Sequence, residues 1–212
     1  MNFSELFNFL YHYKNFKTVG EHLDYAVNVD NEDKKVRLMF QHTNGNLDWK
    51  TNFTFPKKPY RNQKNHMYVH GGWIKQYKSA NDLIMNEYIE VVKKHPDYKC
   101  EINGFSMGAA LSQIAAEDFY FRTGIKPSVV AFGCPKPFFG KKTRKYVESC
   151  IDVENSYLIN DCNDIVSKVV PFIGWKHMKD ETKVALEKKC FFKLFNAVKF
   201  HTNYDKENYE NI

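Results

Sequence analysis

Few arginines, no paired cysteines and no long apolar run mark this sequence, and each shortage closes off a class of protein. Among 212 residues only Arg37, Arg61, Arg122 and Arg144 are arginine, so the formal charge of +6 comes mostly from lysine. Readers of nucleic acid lean on the bidentate guanidinium for phosphate and base contacts. Without Arg clusters or a recognisable RNA- or DNA-binding motif, no nucleic-acid partner is expected. The five cysteines, Cys100, Cys134, Cys150, Cys162 and Cys190, contain no Cys-x-x-Cys pair. Their odd count and wide spacing argue against a disulfide framework or a zinc site and read as reduced, mostly buried thiols. No stretch approaches the roughly 18–20 apolar residues of a membrane-spanning helix. The N-terminal segment lacks a basic region followed by an apolar one, being interrupted by His12, Lys14 and Asn15, so no secretory signal is expected. These absences point to a cytoplasmic location, with release by an unconventional route left open.

What is present is material for a core. Hydrophobic residues make up 43% and aromatics 16%, which excludes a disordered or collagen-like chain. The length suits one domain spanning residues 1–212. The mild lysine excess reads as a solvated surface or, more specifically, as attraction to an anionic surface such as acidic lipid.

Periodicity organises the chain. Phe3, Leu6, Phe7 and Leu10 fall at helical spacing within residues 1–16. Residues 35–41 read as a buried strand, and residues 51–65, with Pro56 and Pro59, as a long exposed loop. A helix is expected over 73–95, stopped by Pro96. Lys99–Phe105 reads as a strand, 107–122 as a helix ending at Gly124, and Val129–Phe132 and Ser156–Ile159 as further strands. Strand, helix and strand in alternation imply an α/β fold with crossover helices.

The most informative segment is Gly104-Phe-Ser106-Met-Gly108, a Gly-x-Ser-x-Gly between a strand and a helix. That is the context of a nucleophile elbow, in which a serine on a tight turn projects above the sheet beside a helix N-terminus. Gly104 and Gly108 leave room where a β-carbon would strike a neighbour, and Ala109 and Ala110 let the helix pack close. A serine nucleophile needs a base, and the base an orienting carboxylate, in the chain order Ser, Asp, His. Asp161 and Asp164 follow the strand that ends near Ile159 and are both candidates, with Asp152 and Asp180 weaker. His177 and His201 lie beyond, and chain order alone does not choose between them.

A set of motifs in order then resembles the class 3 lipases, the family of fungal triacylglycerol lipases with related feruloyl esterases and phospholipases. Phe40-Gln-His-Thr43 followed by Asp48-Trp49 resembles the family's Phe-Arg-Gly-Ser/Thr and Asp/Asn-Trp. Val69-His70-Gly-Gly72-Trp73 is similar to its Val-His-x-Gly-Phe, and Gly104-Phe-Ser106-Met-Gly108 to its Gly-His-Ser-Leu-Gly. Phe132-Gly133-Cys-Pro135, Asn163-Asp164-Ile-Val166 with Pro171, Gly174-Trp-Lys-His177 and His201-Thr-Asn-Tyr204 complete the series. The resemblance runs from about residue 20 to 204. It departs from the family at Gln41-His42, Phe105 and Ala109, and in a shorter interval between Asp164 and His201.

The resemblance implies an α/β-hydrolase fold with a mostly parallel sheet flanked by helices. It also implies a catalytic triad of Ser106, Asp164 and His201, with His177 structural. Thr43 falls on the oxyanion position, and the backbone amide of Met107 would be the second donor. Residues 44–61 stand where the family carries its lid. Neither metal nor organic cofactor is implied. The implied activity is hydrolysis of carboxylic esters of lipids, as a triacylglycerol lipase or phospholipase, with a short-chain or aromatic-acid esterase and a non-catalytic lipid-binding member as alternatives. The partners implied are a lipid or other ester substrate and a transient contact with an anionic membrane or lipid surface.

Overall fold

A computed structural model describes residues 2–41, 57–60, 67–164, 166–168, 174–180, 182–184, 201 and 204. The first helix, α1 (Phe3–His12), opens on a capping box. Asn2 Oδ1 accepts the Glu5 amide at 2.9 Å, and Glu5 Oε2 accepts the Asn2 amide at 3.0 Å. The reciprocal bonds satisfy two of the amides that every helix start leaves without partners. Three strands follow, β1 (Lys17–Val19), β2 (Leu23–Asp30) and β3 (Lys35–Phe40), joined antiparallel. Next comes a hairpin of β4 (Lys57–Tyr60) and β5 (Met67–His70).

Two helices, α2 (Gly71–Lys78) and α3 (Asn81–Lys94), stand where the periodicity predicts one over 73–95. The break has a local cause. Ser79 Oγ bonds back to the Gln76 carbonyl at 2.7 Å and accepts the Glu21 amide at 2.8 Å, while Ala80 leaves helical geometry at φ −145°. A serine that bonds nearby backbone competes with helix continuation. The expected loop over 51–65 also contains β4. Among the described residues this strand pairs on one side only, and an edge position tolerates Pro59.

The remaining elements follow the expected alternation: β6 (Lys99–Phe105), α4 (Met107–Thr123), β7 (Ser128–Phe132), β8 (Phe138–Phe139), α5 (Lys141–Ser149), β9 (Tyr157–Asp161), a 3₁₀ turn at Val166–Lys168, β10 (Trp175–Lys176) and β11 (Thr182–Val184). The large sheet runs β1-β2-β3-β6-β7-β9-β11, parallel from β3 onward, and the small antiparallel sheet runs β10-β8-β5-β4. The central strands alternate between two cores. Val36, Leu38, Phe40, Ile102, Val129, Ala131 and Leu158 face the cluster that includes α2, α3 and α4. Met39, Phe105, Val130, Phe132 and Ile159 face Leu6, Phe7 and Leu10 of α1. Burial on both faces explains why Val129–Phe132 of β7 reads as an unbroken apolar run. Full burial of each large side chain contributes about 1.5–3 kcal/mol before the cost of ordering it.

Candidate active site

Ser106 stands between the end of β6 and the start of α4, at φ 57° and ψ −123°. A non-glycine residue there costs on the order of 1–3 kcal/mol, a strain that persists because the surroundings hold it. Those surroundings explain the two glycines. A β-carbon on Gly104 would lie 2.2 Å from the Gly108 carbonyl oxygen, and one on Gly108 would lie 2.3 Å from that of Phe40. The Ser106 amide donates to the Phe132 carbonyl at 2.9 Å, which ties the turn to β7.

His201 meets the serine hydroxyl. Its Nε2 lies 2.7 Å from Ser106 Oγ and its Nδ1 lies 2.9 Å from Asp164 Oδ2. With the proton on Nδ1, the imidazole donates to the carboxylate and accepts from the serine. Asp164 is fully buried in the loop after β9. Its Oδ1 accepts the Val166 amide at 2.8 Å. The other candidates of the sequence reading are engaged elsewhere. Asp161 Oδ1 accepts the Asn163 amide, Asp152 accepts from Asn155 in a turn, and Asp180 pairs with Arg144. His177 is buried just past β10, on the small sheet. Met107 is the first residue of α4, so its amide has no partner within the helix. Thr43 lies outside the described residues, as do residues 44–56 and 61 of the expected lid. Lys57–Tyr60 of that segment form β4.

Three neighbours were not read as part of the site. The Tyr204 hydroxyl donates to Asp164 Oδ2 at 2.7 Å and accepts the Asp161 amide at 3.0 Å. Burial, together with the Asp164 carboxylate, pushes the Tyr204 pKa well above its ordinary value and keeps the hydroxyl a donor. Phe105 stacks on the His201 ring, with centroids 4.8 Å apart at 28°. A β-carbon on Gly133 would come within 2.9 Å of both Asp164 Oδ2 and His201 Cε1, so only glycine fits against that pair. The signal that could have pointed to Tyr204 is the motif His201-Thr-Asn-Tyr204 itself, which keeps a tyrosine close to the base in the chain.

Tyr204→Phe removes one of the hydrogen bonds that orient the carboxylate and leaves the ring packing intact. A hydrogen bond to a charged group is worth about 1.5–3 kcal/mol, so hydrolysis of a test ester by the variant is expected to fall by about 10- to 100-fold. A variant as fast as the parent would show that Asp164 needs no second anchor.

A serine on a strained strand-to-helix turn, at the carboxyl edge of a mostly parallel sheet and flanked by an imidazole and a buried carboxylate, defines the α/β-hydrolase class. Solved structures similar to this one agree on the fold. The native Rhizomucor miehei lipase–propeptide complex superposes with a TM-score of 0.71 at 21% identity, over 81% of this chain and 56% of that one. Lipase II from Rhizopus niveus gives 0.65 at 25% identity, over 74% and 60%. The family model for lipase (class 3) matches residues 37–173. The chain belongs to the class 3 lipase family. A lipase of Rhizopus oryzae is 30% identical over 102 residues, which make up 46% of this chain and 24% of that protein. The chain thus spans about a quarter of the length of that relative.

Among the described residues no helix is long and apolar enough to cross a membrane, and no cluster of three His, Cys, Asp or Glu could hold a metal ion.

Proposed function

We propose that this protein hydrolyses carboxylic esters of lipids through an acyl-enzyme on Ser106, with His201 as base and Asp164 as its orienting carboxylate. The observation that carries this reading is the continuous hydrogen-bonded line from Ser106 Oγ through His201 to Asp164, built on a strained elbow in a chain of the class 3 lipase family. His201 removes the Ser106 proton as Oγ attacks the ester carbonyl, and Asp164 stabilises the imidazolium that forms. The Met107 amide, at the N-terminus of α4, and Thr43 donate to the oxyanion. The imidazolium returns its proton to the leaving alcohol. Water, activated by the same histidine, then releases the acyl group. Phe105 stacks on one face of the imidazole and limits its rotation.

We assign these steps to one domain spanning residues 1–212, with residues 44–61 as a lid over the acyl groove. A triacylglycerol or phospholipid ester is the substrate favoured by the aromatic and apolar residues of that segment, Leu47, Trp49, Phe53 and Phe55.

The test is labelling with a fluorophosphonate, combined with hydrolysis of p-nitrophenyl esters and emulsified glycerides. The expected result is a covalent adduct on Ser106 and a rate that rises sharply once the glyceride passes its solubility limit. Absence of the adduct would turn the reading toward a non-catalytic lipid binder. A rate that saturates below the solubility limit would turn it toward a soluble esterase.

A further inference from the structure

A groove of about 900 Å³ opens between the small sheet and α5, away from the residues of the triad. Its apolar lining comes from Met67 and Tyr68 of β5, Phe139 of β8 and Tyr146 of α5. Around this lining stand four lysines: Lys57 of β4, and Lys141, Lys142 and Lys145 of α5. All four are exposed. Among the described residues no aspartate or glutamate lines the groove.

Two nearby acids and the one arginine of α5 are already committed, and Glu148 is the one acid of α5 itself. Arg144 pairs with Asp180 at 2.9 Å, and Glu117 accepts the Tyr146 hydroxyl at 3.0 Å. Among the described residues none of the four lysines is paired with a carboxylate. Lys57 instead holds its ammonium 3.9 Å from the centre of the Phe139 ring and 5.2 Å from that of Tyr68. An ammonium set over aromatic faces leaves its outward hydrogens for an anion. Positive charge is therefore in excess at this place, where four lysines outnumber Glu148 of α5.

Position adds a second argument. The Phe132 carbonyl, at the end of β7, binds the Ser106 amide, and β8 begins six residues later. Six residues reach at most about 20 Å, so the groove floor lies within that distance of the strand end that holds the nucleophile's turn.

We propose that this lysine-walled groove docks the headgroups of anionic lipid, and so holds the fold against a negatively charged lipid surface. The inference deepens the lipid-ester reading and rests on it. Lysine stems lie along apolar surface while their ammonium groups reach the headgroup layer, and tyrosine prefers the same depth. An apolar lining walled by cations suits an amphiphile better than an acidic peptide, which would need hydrogen-bond partners for its backbone.

The experiment measures co-sedimentation of the whole chain with vesicles of phosphatidylcholine alone and of phosphatidylcholine mixed with phosphatidylglycerol. The parent is expected to bind the mixed vesicles more tightly, and to lose that preference at high salt, because surface charge is screened within about 10 Å at 0.1 M. Each lysine near an anionic bilayer contributes about a fivefold factor. Replacing Lys141, Lys142 and Lys145 together with glutamine should therefore weaken binding by about 100-fold, and Lys57→Gln alone by about fivefold. Hydrolysis of dissolved p-nitrophenyl butyrate should be unchanged in the triple variant, whose three positions lie outside the proposed lid, and this also reports that it folds. Equal binding of the triple variant and the parent to the mixed vesicles would overturn the proposal. So would equal binding of the parent to both vesicle types. Salt-sensitive, lysine-dependent binding by a chain that hydrolyses no ester would keep the docking surface and remove the hydrolase reading.

Discussion

Ser106→Ala is expected to lower kcat on a dissolved p-nitrophenyl ester by about 10³–10⁶-fold, the range over which triad members act as a unit. Without Oγ no acyl-enzyme forms, and only binding and the oxyanion donors are left to help water attack. The loss should come without unfolding, because the Ser106 side chain bonds to His201 and the turn is held by backbone, through the Ser106 amide and the Phe132 carbonyl. The strain at φ 57° adds a second expected result. Ser106→Gly should be as inactive as the alanine variant yet more stable by about 1 kcal/mol, since glycine adopts that conformation without a β-carbon clash. In a protein of this size that gain raises Tm by roughly 2–4 °C. His201→Ala should cost nearly as much activity as Ser106→Ala, and His177→Ala far less. Full activity in purified Ser106→Ala would end the nucleophile assignment, and the reverse ranking of the two histidines would end that of the base.

The second large effect is on stability. Arg37→Met is expected to destabilise the fold by about 3–5 kcal/mol, seen as a lower urea midpoint at unchanged slope. Arg37 is only 1% exposed and lies opposite Glu101 in the parallel register of β3 and β6. Its Nε donates to Glu101 Oε1 at 2.9 Å, and its two Nη atoms reach Asp30 and Asp33. Lys35 Nζ holds the other Glu101 oxygen at 2.7 Å, and Asn103 Nδ2 adds a bond at 3.1 Å. Removing the guanidinium leaves a buried carboxylate with half of its compensation. Native proteins are stable by only about 5–15 kcal/mol in all, so the variant should be close to unfolding.

The same cluster sets an acid limit. Burial pushes Glu101 up, but Lys35 and Arg37 outweigh it and hold the carboxyl below its ordinary value of 4.5. Asp30 is likewise pushed up by burial and held below 3.8, by backbone amides and Arg37. A carboxyl whose pKa is lower when folded binds fewer protons in the native state. Its stabilisation is complete above the ordinary carboxylate range and is lost as pH falls through that range and below it. The parent should therefore lose stability on acidification below about pH 5, and Arg37→Met should show a shallower slope there. An identical slope in both proteins would mean that other carboxylates dominate acid unfolding.

Some of this was legible in residue types alone. The elbow was visible because a backbone crossing this tight admits only glycine, so Gly104 and Gly108 announce it at a fixed spacing around Ser106. The central strands were visible because a parallel sheet buries both faces, which turns Val129–Phe132 into a continuous apolar run. The break at Ser79 was not, since helical periodicity continues through it and the bonds that end α2 come from Gln76 and from Glu21, far back in the chain. Asp161 and Asp164 carry the same chemistry three residues apart, as do His177 and His201 beyond them. Motif order favoured Asp164 and His201, while spacing left the choice open.

The sequence by itself determined the nucleophile's turn, the alternation of strand and helix, and the family. Only the tertiary structure decided what meets across the sheet: His201 against a serine 95 residues away, Tyr204 on the Asp164 carboxylate, Phe105 on the imidazole, Arg37 opposite Glu101, and four lysines around one apolar groove. The reason is physical. Residue type and period encode local backbone geometry and which face is buried, whereas contacts between distant side chains depend on strand order, register and the path of loops, and no single segment carries those.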